Sequence, residues 1–349
     1  MTMRARDEAQ EDNALGEPWT SRPSLLTNLI RSGKDAADVA EQALLRHYRN
    51  AVGQSAASLE DDISAFQHPT QESPFLKDME LTKRLPAHKQ RRPRIKLLTL
   101  NMGQSYHKIE NVRDHLRAMK AMYAVDPPLT FAPSSATRVI VEAVAGVGAL
   151  LDPGVGTEER ILRASGDLLE SYQQNVNATR QLPVSTFPDA AIEAERRLDG
   201  LVVLIERAGC EVVRQSNGKP KQIRLMGGSR YRGVPTERIS SRVEATFSAY
   251  PALYQMGSGI AHSMEWMLGD HARIPIAGES RLIYKSDPYV NGAAATTAIA
   301  AIEFLVTQYG RYMGHDPEDK VVPHRRRREA VDRYMNEYAA AKMQATGRL

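Results

Sequence analysis

Thr246–Leu268 reads TFSAYPALYQMGSGIAHSMEWML, and its reading decides how the rest of the chain is arranged. The stretch is apolar on the whole, yet Tyr254, Ser258 and His262 recur every four residues. At 3.6 residues per turn those three side chains fall in one row on a helix. Gly257, Gly259 and Ala261 carry almost no side-chain volume, so a second backbone can come close. Arg138–Pro153, RVIVEAVAGVGALLDP, has a matching build, with Arg138 and Glu142 four apart and then Gly146 and Gly148. The expectation is that the two helices cross at Gly146 and Gly257, gathering Arg138, Glu142, Ser258 and His262 into one polar cluster.

Around these stretches the pattern is helical. Residues 1–22 are polar and aperiodic, which predicts a disordered N-terminus, and 23–82 read as an N-terminal helical segment. Its apolar stripe runs through Ala40, Leu44, Tyr48, Leu59, Ile63 and Phe66. Residues 83–96 hold seven Lys or Arg, no acid, and two prolines, Pro86 and Pro93, which predict an extended basic linker. A helical domain follows over 97–349. Helix starts are expected at Ser134 or Ser135, at Thr157 and near Pro323, from cap-forming hydroxyls and from proline. Cys210–Arg214 and Gln222–Leu225 flank Ser216-Asn217-Gly218-Lys219, the signature of a hairpin. A further short strand is expected at Arg281–Lys285. The predicted fold is mostly α, with one β-hairpin insertion and with N- and C-terminal helices as flanking additions.

Composition excludes several functions. A single cysteine, Cys210, can form neither an internal disulfide nor a thiolate metal site. No apolar run approaches the ~20 residues of a membrane span, the first residues do not read as a secretory signal, and the expected location is the cytoplasm. A net charge of +4 is compatible with nucleic acid without demanding it. Arg325–Arg328 form a second basic block. Solvated surface charge explains both blocks adequately, and a phosphate-contacting surface is the sharper reading.

The familiar catalytic patterns are missing. No G-x-x-x-x-G-K-[ST] occurs, and the two G-x-G pairs sit inside helical pattern rather than at strand-to-helix turns. His107 with Glu110, and His262 with Glu265, are each three apart, but they do not supply the carboxylate set of a di-metal bundle. No metal or cofactor is expected. What remains is the polar row. A structural network would use Glu142 to accept from Arg138 and His262. A functional site would make His262 an acid or base oriented by Glu142, with Arg138 on an anion.

The motif Arg138-x-x-x-Glu142-Ala143-x-Ala145, then Leu150-Leu151-Asp152-Pro153 and Arg160-x-x-Arg163, resembles a pattern in helical proteins common in actinobacteria. Tyr254-x-x-x-Ser258-x-x-x-His262-Ser263 with Trp266 resembles their second signature. Their arrangement is similar to HEPN-like helical domains, which include ribonucleases of toxin and phage-defence systems. The resemblance implies a HEPN-like bundle acting on or binding RNA or a nucleotide. His262, Glu142 and Arg138 would then be the catalytic residues, with Ser258, Tyr254, Arg160 and Arg163 in binding roles. HEPN nucleases carry Arg-x(4–6)-His on one helix; here no arginine stands that close before His262. That departure favours a structural His262, whose replacement by Ala is then expected to destabilise the fold. The alternative function is a non-catalytic helical interaction module, with a homodimer as its partner state.

Overall fold

The computed structural model describes residues 34–84, 90–183, 185–216, 218, 220–226, 232–233, 239–247, 251–262, 264, 273–275, 282–284 and 286–346. The predicted disordered stretch 1–22, Lys89, Asn217 and Trp266 lie outside them. The helices are α1 (Lys34–Ser64), α2 (Pro74–Arg84), α3 (Arg91–Met122), α4 (Ala132–Leu151), α5 (Thr157–Thr179), α6 (Ala190–Arg207), α7 (Ile239–Thr246), α8 (Pro251–Ala261), α9 (Pro288–Tyr312) and α10 (Glu318–Thr346). The strands are β1 (Cys210–Arg214), β2 (Pro220–Leu225), β3 (Arg232–Gly233), β4 (Arg273–Pro275) and β5 (Leu282–Tyr284). The protein is mostly α, as the periodicity predicts.

Two apolar helices organise the core. α4 packs against α3, α5, α7, α8 and α9, while α9 packs against α1, α4 and α10. Both are long and apolar enough to cross a membrane by length and composition, contrary to the expectation from the sequence, and 67% of each apolar window is buried inside the protein. Small residues make the close packing workable. A Cβ built on Gly148 of α4 would lie 2.5 Å from a ring carbon of Phe304 on α9, so only glycine admits that ring.

The terminal helices are not additions to a separate domain. Ala40, Leu44, Tyr48, Val52 and Leu59 of α1, and Val331 and Tyr338 of α10, share one apolar cluster with α3, α4 and α9. The stripe read from α1 was right, but a 31-residue amphipathic helix needs a large partner surface, and the core supplies it.

The basic stretch 83–96 is also not an extended linker throughout. Lys83 and Arg84 close α2, where a helix C-terminus favours cations. Arg91 already opens α3, with Pro93 in its first turn, where the missing N–H costs no helical bond. Arg94 is buried and donates to the Ala208 carbonyl at 2.8 Å, tying α3 to the end of α6.

Of the three expected helix starts, the one at Thr157 is met and the other two move toward the N-terminus. α4 begins at Ala132, with Pro133 in the first turn and Ser134 buried. Thr157 is the first residue of α5 after an N-cap at Gly156, and its hydroxyl donates to Asp78 at 2.7 Å. α10 begins at Glu318 and runs through Pro323.

The predicted hairpin is present, pairing Cys210 with Leu225 and Val213 with Gln222, and Gly218 adopts φ +78° in its turn. β3 adds two residues to its edge, and β4 pairs with β5 where a strand was expected. The hairpin is seated by its inward residues. Cys210, Ile223 and Leu225 join Leu97, Leu98, Ile161, Leu169, Leu201 and Ile205 in a second apolar cluster.

Candidate functional site

Beyond its first residue, α4 is part-exposed only at Ser135, Arg138, Val139, Glu142 and Ala149, a single stripe at helical spacing. α8 lies against this stripe. A Cβ built on Gly257 would lie 3.2 Å from Arg138 Cβ and 3.5 Å from the Ser134 carbonyl oxygen, so Gly257 does mark a close crossing. Gly146 does not share it: its space is filled by the Lys108 side chain of α3, whose outer atoms lie 3.3 Å from such a Cβ. Leucine at Gly257 is therefore expected to overpack the crossing and cost about 1–3 kcal/mol in denaturant unfolding. Unchanged stability in that variant would remove the crossing from this account.

The crossing assembles the polar cluster. Arg138 Nε donates to Glu142 Oε1 at 2.8 Å, an i,i+4 pair with side chains 18% and 25% exposed. Arg138 Nη1 lies 3.3 Å from His262 Nε2. A guanidinium can only donate, so we assign Nε2 as the acceptor and place the imidazole proton on Nδ1. His262 closes the last turn of α8 through its backbone N–H, which donates to the Ser258 carbonyl at 2.9 Å. Ser258 is half-buried one turn below, and Tyr254 stands a further turn back on α8, its side chain outside the described set. His262 itself is exposed. The cluster is thus open to solvent at the histidine and held from behind by Glu142.

Arg160 and Arg163 are elsewhere. Both serve the C-terminal end of α4, roughly 20 Å along the helix from Arg138 at ~1.5 Å per residue. Arg160 is fully buried, donating to Asp78 at 2.6 Å and to the carbonyls of Leu150, Asp152 and Val155. Its guanidinium also lies 4.6 Å from the Tyr312 ring centre. Its side chain has no solvent-exposed surface. Arg163 pairs with Glu159 and Asp152 and donates to the Ala149 carbonyl. The two arginines that the motif offered as binding residues instead cap a helix whose last carbonyls need donors.

The second basic block is similarly committed. Arg325 pairs with Glu318 and Arg328 with Glu303, while Arg327 donates to Ser58 Oγ at 3.2 Å. Burial lowers the Arg327 guanidinium below its usual value, with Asp62 opposing. Glutamine at Arg325, Arg327 and Arg328 is therefore expected to reduce stability and to leave the salt dependence of any RNA binding unchanged. A flattened salt dependence would return this block to the phosphate surface.

Two side-chain groups escaped the sequence reading because their members come from separate helices. In the first, His324 Nε2 lies 2.9 Å from Asp62 Oδ2 and Nδ1 lies 3.2 Å from Ser55 Oγ. This has the order of a Ser–His–Asp relay, but His324 and Ser55 are fully buried, so it ties α1 to α10 and offers no access to substrate. In the second, Asp167 of α5 holds Lys108 of α3 at 2.6 Å and Arg242 of α7 at 3.2 Å. The one hint in the sequence was Gly146, a glycine where the row of Arg138 and Glu142 continues. Among the described residues, no three His, Cys, Asp or Glu side chains gather as a metal site.

No protein-family model, curated protein or solved structure matches the chain.

Proposed function

We propose that the chain acts on RNA, with the phosphate met by Arg138 and the reacting hydroxyl by His262, as the likeness to HEPN-like domains suggests. The observation that carries this is the exposed His262 whose Nε2 lies 3.3 Å from Arg138 Nη1. HEPN nucleases place Arg and His on one helix; here the Gly257 crossing brings the same two groups together from α8 and α4. Glu142 fixes the guanidinium plane, so the arginine is positioned before an anion arrives.

The chemistry follows from these groups. As Arg138 Nη1 turns from Nε2 to the phosphate, the Nε2 lone pair is released and takes the proton of a ribose 2′-hydroxyl, whose oxygen attacks the adjacent phosphorus. The bond from phosphorus to the 5′-oxygen breaks, that oxygen takes a proton from water, and a 2′,3′-cyclic phosphate remains. Arg138 stabilises the charge that gathers on the phosphoryl oxygens. RNA is the partner, and the cytoplasm is where we place the reaction.

The competing reading is a non-catalytic interaction or dimerisation module, in which the Arg138–Glu142 pair only sets helix register across Gly257. Binding of a fluorescent ribo-oligonucleotide separates the two. Arg138→Gln removes a charge-assisted hydrogen bond of about 1.5–3 kcal/mol, so affinity is expected to fall roughly 10- to 150-fold. Equal affinity in wild type and variant would favour the interaction module.

A further inference from the structure

Ser258 stands one turn before His262 on α8, in the open part of that helix. Gln255, Ala261 and His262 are exposed and Ser258 is half-buried among them, while Gly257, Gly259 and Ile260 are buried. Gly257 is the residue whose Cβ would lie 3.2 Å from Arg138 Cβ, and His262 is the residue that the Arg138 guanidinium reaches. At about 100° per residue, Ser258 projects between those two directions. Its hydroxyl therefore belongs to the same face as the Arg138–His262 pair.

That hydroxyl is not used by the fold. A serine or threonine inside a helix commonly donates to the carbonyl four residues back. Thr99, Ser105, Thr137, Thr297 and Thr307 all do so in this protein, at 2.7–3.0 Å. No hydrogen bond of the Ser258 hydroxyl occurs among the described residues. A donor is thus left over beside an arginine and a histidine, on the side of α8 that a ligand can reach. Resting on the phosphate reading given above, we infer that the Ser258 hydroxyl is a second donor to the phosphate under attack, taking the non-bridging oxygen that Arg138 does not hold.

The spacing suits a phosphodiester. Four residues advance about 6 Å along the helix axis. His262 Nε2 meets the 2′-hydroxyl at one end of that interval, and a hydrogen bond of roughly 2.7 Å from Ser258 Oγ reaches a phosphate oxygen from the other. The serine keeps its proton at neutral pH, and an anionic acceptor makes the bond stronger than one between neutral groups. Negative charge gathers on that oxygen as the 2′-oxygen attacks, so the bond tightens toward the transition state.

Sulfur in place of one non-bridging oxygen tests this, because sulfur is a weak acceptor. Three ribose strands are compared in single-turnover cleavage: the all-oxygen strand and the two phosphorothioate diastereomers at the cut linkage. Ser258→Ala is expected to slow the all-oxygen strand by about 10- to 150-fold, the loss of one hydrogen bond to a charged group. One diastereomer is expected to slow as much, and the other to be nearly unaffected, because its sulfur has already cost that bond. A loss confined to two strands of three cannot come from partial unfolding. Ser258→Thr keeps the hydroxyl and is expected to retain the wild-type pattern. The urea midpoint of Ser258→Ala is expected to equal or exceed that of wild type, since no internal hydrogen bond is removed and alanine favours the helix. Equal slowing of all three strands, no slowing of any, or a threonine variant as slow as the alanine one overturns the role of Ser258 and leaves the Arg138–His262 reading standing. Failure of the wild type to cut any of the strands overturns that reading, and the role of Ser258 with it.

Discussion

If the chain cleaves RNA as proposed, His262→Ala is expected to slow that cleavage by about 10²–10⁴-fold, the range for removal of a general base, and to leave folding stability within about 0.5 kcal/mol. The pairing of those two outcomes matters. In a sealed core, losing the imidazole would strand Arg138 and Glu142, and stability would fall with activity. The geometry argues against a sealed core, because His262 is exposed at the end of α8 while Arg138 keeps its 2.8 Å bond to Glu142. The sequence had pointed to the destabilising outcome, since the one-helix spacing of Arg and His is absent. Urea unfolding and single-turnover cleavage on the same preparations check both halves. A stability loss above about 1 kcal/mol with an unchanged rate would make His262 a structural residue.

Arg160→Leu is expected to cost about 3–5 kcal/mol, the range for breaking a buried ion pair by removing one partner. Asp78, 4% exposed at the side chain, would then lie buried beside apolar groups with its charge unmatched. Tyr312 donates to the same carboxylate at 3.0 Å. Its phenol is held well above the ordinary range by burial, and next by the Asp78 charge, so it stays a donor. Leucine also strips donors from the three carbonyls at the end of α4 and the turn after it. Arg160→Leu combined with Asp78→Leu is expected to lose less than the sum of the two single variants, because neither charge is then left alone. Denaturant unfolding of the four proteins measures this directly. Single variants that each cost under about 1 kcal/mol would contradict the cap.

Much of the fold was legible, and for identifiable reasons. Long amphipathic runs such as Ala40 to Phe66 and Ile109 to Tyr123 carry their own period, and the hairpin carries its turn chemistry at Gly218. Pairings within one helix were also readable, as Arg138 with Glu142 shows. Even the meeting of Arg138 with His262 followed from two glycine-bearing rows, although the assignment of glycines was half wrong. Gly257 sits at the crossing, whereas Gly146 admits Lys108 from a third helix. Periodicity tells which residues share a face, but not which helix covers it. For that reason Arg160 looked like part of a binding motif and proved to be a buried cap. For the same reason Lys108, Asp167 and Arg242, on three different helices, left no trace in the spacing. The basic runs show a related limit: charge density in the sequence says nothing of whether an acid waits across the fold, as Glu303 of α9 does for Arg328.

The most direct measurement uses two end-labelled strands of identical sequence, one all-ribose and one with deoxyribose throughout. Each is incubated with wild-type protein and with His262→Ala. If Arg138 and His262 act on RNA as described, wild type cuts the ribose strand and leaves 2′,3′-cyclic phosphate ends. The deoxyribose strand stays whole for want of a 2′-hydroxyl, and His262→Ala spares both. A ribose strand that binds yet stays intact, or a deoxyribose strand cut equally well, would contradict the account.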